Sequence, residues 1–152
     1  MATPQRTSRN TRKTPAAPAT GEYGHLQPQA PELEEVVLGA LMIESDAYSQ
    51  VSDILKPESF YEHRHQLLYR AITTLALQQK PIDILTVTEQ LRSTGDLEEA
   101  GGPFYITQLS GKVASSAHIE YHARIIAQKH LARELITYTS TIQTKAFDET
   151  QD

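Results

Sequence analysis

The chain has 152 residues, 39% of them hydrophobic and 22% charged, with no cysteine and a net charge of −5 at pH 7. That length suits one domain with a sizeable core. Disulfides and thiolate metal sites are excluded, and no apolar run approaches the roughly 20 residues of a membrane-spanning helix. Charge is uneven: residues 1–30 hold Arg6, Arg9, Arg12 and Lys13 against Glu22 alone, a net of +3, which leaves −8 on the remainder. A remainder that acidic is a poor general surface for a phosphate backbone. The basic N-terminus has no apolar stretch behind it, unlike a secretory signal.

Residues 1–30 are rich in Thr, Pro, Ala and Gly without periodicity and read as a disordered basic tail. Pro31 suits the first position of a helix, where its missing N–H costs nothing, and Glu32, Glu34 and Glu35 follow where the helix dipole favours negative charge. The run Val36 to Ile43 is apolar on nearly every side, which predicts a central helix, with Gly39 allowing a close approach. Ser45 is the expected cap of a second helix from Asp46 to Leu55, with Ala47, Val51, Ile54 and Leu55 facing inward. Phe60 and Tyr61 read as core anchors before a third helix over about 62–79. Its stripe is Leu68, Ala71, Ile72, Leu75 and Ala76, and Lys80-Pro81 ends it.

Thr86-Val87-Thr88-Glu89 fits a capping box, with Ile84, Val87 and Leu91 on the core face and Gly95 as the left-handed cap. Asp96-Leu97-Glu98-Glu99 predicts a second box on a single turn ending at Gly101-Gly102. Pro103 restarts a helix through Phe104, Tyr105 and Leu109 to Gly111. From about Ser116 to Phe147 there is neither Gly nor Pro, and the pattern predicts one long helix. Ile119, Ala123, Ile126 and Ala127 suit packing on the bundle. Leu131, Leu135, Tyr138 and Ile142 then follow the 4-3-4 spacing of a coiled-coil seam. The helix is too long for a domain of this size to cover, so its distal half is expected to project. Two fates are open to the seam: folding back on its own bundle, or pairing with a partner helix. Burying its four side chains is worth on the order of 6–10 kcal/mol before association costs.

Signatures of chemistry are missing. His118 and His122 have the i, i+4 spacing that can hold zinc, but a third ligand is lacking. His63 and His65 flank Arg64 with no carboxylate in the sequence placed to join them, so the histidines read as surface or partly packed. Gly111-Lys112 resembles the end of a phosphate-binding loop, yet Ile106 and Val113 stand where that loop needs Gly and Ser or Thr. No serine sits in a nucleophile elbow. Glu98-Glu99 suit a helix start, and Arg64, Arg70, Arg92, Arg124 and Arg133 are dispersed. No catalytic, cofactor-binding or metal residue is therefore expected. The alternative for a small all-helical chain is a standalone DNA-binding regulatory protein. Its nearest recognition helix, Glu89-Gln90-Leu91-Arg92, lies among acidic residues.

One ordered set of residues resembles a known family, the N-terminal domain of the bacterial replicative DNA helicase (DnaB type). The set runs from Pro31 to Phe147. It begins with Glu35 and Val37 to Met42, then Phe60-Tyr61 with His65, and Pro81-Ile82-Asp83 with Thr86-Val87. Leu97, Gly101-Gly102, Tyr105 and Leu109 follow, and the last pieces are Ile119-Glu120-Tyr121, Ala123 to Ile126 and Arg133. His118 departs from the family's usual Asn, moving the expected cap to Ser115 or Ser116, and His122 replaces a common aromatic. The resemblance implies an all-α fold: a small multi-helix bundle over 31–114, a long projecting helix over 115–147 as first arm of a helical hairpin, and a loop over 148–152. It implies a collar domain that pairs with itself into dimers, three of which crown a ring of six ATPase domains. It further implies docking of primase, through that protein's C-terminal domain, and of the helicase loader, with little direct DNA binding. The ATP- and magnesium-dependent motor would follow Asp152 in a cytoplasmic bacterial protein, leaving this fragment without enzymatic activity. Leu131, Leu135, Tyr138 and Ile142 are the expected interface.

Overall fold

The structure is a computed structural model that describes residues 26–112 and 116–150. The expectations for residues 1–25, for Ser115 and for the last two residues lie outside the described residues. Among the described residues six α-helices and one 3-10 turn follow in order: α1 Pro31–Ile43, α2 Ala47–Val51, the turn Pro57–Ser59, α3 His63–Leu77, α4 Ile84–Thr94, α5 Gly102–Gly111 and α6 Ile119–Thr150.

α1 is the axis of the bundle. Val37 to Met42 are all buried, and α1 packs against every other helix. Its apolar circumference demands this, because each face must find a neighbour. Pro31 opens it, and the Glu34 amide bonds back to the Ala30 carbonyl at 3.1 Å. α3 lays Leu68, Ala71, Ile72 and Leu75 into the core, while Ala76 stays half-buried at the edge of the stripe. Tyr69 and Phe60 sit side by side with ring centroids 5.0 Å apart, and the Tyr69 hydroxyl donates to the Leu55 carbonyl at 3.1 Å.

The second helix is shorter than its apolar pattern suggests. It stops at Val51, and Leu55 reaches the core from the following turn, where its amide bonds to the Val51 carbonyl. Ser45 is not its cap. Asp46 holds that position without a side-chain cap bond, and Ser49 Oγ donates to the Asp46 carbonyl instead. The capping box of α4 is also displaced. Asp83 is the cap, accepting from the Thr86 amide at 2.8 Å, while Thr86 Oγ1 accepts from the Asp83 amide at 2.9 Å. Aspartate is the stronger cap and starts the helix one residue after itself, so the pair three residues on is Asp83–Thr86 rather than Thr86–Glu89.

Gly95 closes α4 in the left-handed conformation, φ 78°. The turn over 97–101 then delivers the chain into α5 through Gly101 and Gly102, both at positive φ. A side chain at Gly101 would overlap the Tyr105 ring, so this glycine is required both for its backbone and for the room it leaves.

α6 spans 32 residues, about 48 Å at 1.5 Å per residue. Ile119, Ala123 and Ile126 are buried against the bundle, and every residue from Thr141 to Thr150 is exposed. Its distal half projects from the bundle. No helix among the described residues is long and apolar enough to cross a membrane.

Candidate self-association surface

The projecting part of α6 carries a line of large apolar side chains. Leu131 is 55% exposed, Leu135 56%, Tyr138 66% and Ile142 51%, and Phe147 stands further out. At 100° per residue the four share one face, rotated roughly 130° from the stripe Ile119, Ala123 and Ile126 that seats the helix. Continuing the bundle contact along the helix therefore cannot cover them. Between this face and the bundle runs an open groove of about 820 Å³, lined by Tyr61, Gln66 and Glu58 on one side and Leu131, Leu135 and Tyr138 on the other.

The root of α6 is polar and well tied. Arg133 lies on the seating stripe, one heptad after Ile126. Its guanidinium donates to the Pro28 carbonyl at 2.7 Å and to the Ser59 carbonyl at 3.1 Å, and it stands over the Tyr61 ring at 5.3 Å. Burial pulls its pKa below the usual arginine value, opposed by the nearby Glu34 carboxylate and Tyr61. Tyr61, expected as a core anchor, is half-buried and serves as this stacking face. His130 pairs with Glu134 at 3.2 Å on the same stretch.

Beneath that root lies a buried polar chain that the residue pattern did not suggest. Glu34 is 1% exposed and His65 0%. The Glu34 carboxylate accepts from the Tyr61 amide at 2.8 Å and the Glu62 amide at 3.4 Å, the two amides just ahead of α3. It also meets His65 Nδ1 at 2.8 Å, and His65 Nε2 meets the Tyr105 hydroxyl at 2.6 Å. With the carboxylate accepting, Nδ1 carries a proton, and in the neutral ring Nε2 accepts from Tyr105. The chain thus joins α1, α3 and α5. Arg64 covers the Tyr105 ring from outside at 4.1 Å. Burial pushes the Tyr105 phenol up to about 12, with Arg64 opposing and Glu35, Glu62 and Glu34 adding to the rise.

This corrects the reading of the histidines. His65 has a carboxylate partner, Glu34, and is wholly buried; His63 meets Glu99 at 3.3 Å on the surface. A signal was available. Glu34 stands on the core stripe of α1, four residues before Leu38, and His65 on that of α3, three before Leu68. Two polar residues on apolar stripes of different helices are the mark of a buried pair. Glu98-Glu99 lie in the single turn over 97–101 that precedes α5. His118 and His122 have ring centroids 6.5 Å apart, and among the described residues no group of three His, Asp or Glu is placed to hold a metal ion. The geometry offers a projecting apolar face on a braced helix, and the buried polar chain is a structural brace.

The chain and its fold are similar to those of known proteins. The DnaB-like helicase N terminal domain family matches residues 26–128. The chain is 49% identical over 131 residues to the replicative DNA helicase DnaB of Rhodothermus marinus, covering 86% of this chain and 14% of that protein. It is 38% identical over 130 residues to the replicative DNA helicase DnaC of Bacillus subtilis, covering 84% of this chain and 29% of that protein. The chain thus spans less than a third of the length of these curated relatives. The crystal structure of the N-terminal domain of DnaB helicase from Mycobacterium tuberculosis superimposes with a TM-score of 0.80 at 31% identity, over 84% of this chain and 91% of that one. A DnaB-like replicative helicase solved in a study of its interactions with primase shares the fold, with a TM-score of 0.68 at 23% identity over 76% of this chain and 27% of that one. The all-helical bundle, its element order and the residues matched agree, and this chain belongs to the DnaB-like helicase N-terminal domain family.

Proposed function

We propose that the chain is the self-association and docking domain of a replicative DNA helicase, with two copies pairing through Leu131, Leu135, Tyr138 and Ile142. The observation that carries this reading is that face: four large apolar side chains, more than half exposed, on a helix that leaves the bundle. What remains of each to be covered is worth on the order of 1–2 kcal/mol, and a symmetric pairing counts each twice, about 8–16 kcal/mol in all. Association itself costs roughly 4–15 kcal/mol. The balance favours a concentration-dependent dimer of moderate strength rather than an obligate one. Such dimers would be the unit of a collar on a hexameric helicase whose ATP- and magnesium-dependent motor lies outside this domain, in a cytoplasmic protein.

Docking of primase is supported by one relative of this fold, solved in a study of its interactions with primase, and docking of a helicase loader is part of the same proposal. The acidic folded part supports protein partners over direct contact with DNA. Sedimentation over a concentration series tests the central point. The wild-type chain is expected to shift from monomer to dimer, and Leu135→Asp, which puts a charge on the seam, to remain monomeric with its helix content intact. A strict monomer for both, well above micromolar concentration, would sink the reading.

A further inference from the structure

α6 is a lever with a short seat. Its buried residues Ile119, Ala123 and Ile126 occupy two turns, roughly 10 Å of axis, whereas Ile126 to Thr150 extends about 36 Å. Small play at that seat would swing the seam through a wide arc. Ala127, His130 and Ile136 are half-buried beyond these three, and Arg133 ties that stretch to the bundle by hydrogen bonds. Arg133 is on the same stripe, and its anchor extends the held length to about 21 Å and shortens the free arm to about 25 Å.

The anchor suits a guanidinium and little else. Its two acceptors, the carbonyls of Pro28 and Ser59, belong to segments on either side of α1 and α2, and its flat face rests on Tyr61. A planar fork can serve two carbonyls and a ring together; an ammonium cannot. Tyr61 in turn gives its amide to Glu34, so the anchor is continuous with the buried chain that joins α1, α3 and α5.

We propose that Arg133 is a positioning residue: it clasps α6 to the lead-in segment at Pro28 and the turn at Ser59, and so sets the direction in which the seam is presented to a partner. The inference takes from the proposed function only that the seam is a contact surface. The direction of the helix is a property of the single chain. For equal play at the contacts, doubling the seat and shortening the arm reduces the swing at the tip roughly threefold.

The chain has no cysteine, so two introduced ones can be labelled uniquely. Gln108→Cys on α5 and Lys145→Cys on α6 are both exposed. Spin labels there, diluted into excess unlabelled chain, report the distance distribution between bundle and projecting helix by pulsed electron resonance. Arg133→Met is expected to widen that distribution by about threefold, to leave the helix content unchanged, and to weaken dimerisation at least severalfold through lost preorganisation. If Arg133→Met does not fold, Arg133→Lys carries the test, since it keeps charge and stem but lacks the fork, and the same widening is expected. A wild-type width overturns the proposal, including the case where association is lost without widening, which would make Arg133 a direct contact. Unchanged association despite widening also overturns it. A wild-type chain that never dimerises would instead overturn the self-association reading, and the distance widths would still decide the clasp.

Discussion

Glu34 accepts from the amides of Tyr61 and Glu62 and from His65, so removing its carboxylate strands three donors in a site closed to water. Each buried donor left without a partner costs about 1–3 kcal/mol, so the three together cost on the order of 3–5 kcal/mol or more. Glu34→Ala is expected to lose stability of that size in urea unfolding, while a solvent-facing change such as Glu32→Ala stays near wild type. Tyr105 and Tyr69 set the alkaline limit. Burial raises both phenols above their usual value of 10, Tyr105 to about 12. Both are protonated in folded and unfolded chains below pH 10, where their stabilising contribution is fully present. Between pH 10 and 12 the unfolded chain ionises first, and stability falls with rising pH. The urea midpoint is expected to drop across that window, and Tyr69→Phe to flatten the drop.

At the scale of elements, the caps decide where helices begin. Asp83 and Thr86 satisfy each other's amides at the start of α4, so Asp83→Ala is expected to cost about 1 kcal/mol, read as a lowered thermal midpoint. Apolar spacing located α1, α3 and the seat of α6 because those stripes are long. It overran α2, where Leu55 is buried from a turn and looks in sequence like one more helical position. The Thr-Val-Thr-Glu pattern fitted a box one turn too late because Asp83 also has capping chemistry, and only the backbone geometry chooses between them. The 4-3-4 spacing marked the seam but left open whether it folds back on the bundle, and its exposure came from the packed structure.

For the whole molecule, the projecting seam makes stability depend on concentration: anything that binds only the folded chain raises its midpoint by mass action. The wild-type thermal midpoint is expected to rise with protein concentration, and that of Leu135→Asp to stay constant. The sequence by itself determined the helical class, the central place of α1, the left-handed cap at Gly95 and the apolar line on α6, because each depends on spacing within one segment. Tertiary structure alone decided that Glu34 reaches His65 across 31 positions, that His65 reaches Tyr105 across 40, and that Arg133 finds carbonyls at Pro28 and Ser59. Those bonds join residues with no local relation. A buried charge or imidazole is stable only where another helix supplies its partner, and that pairing exists only once the helices have packed.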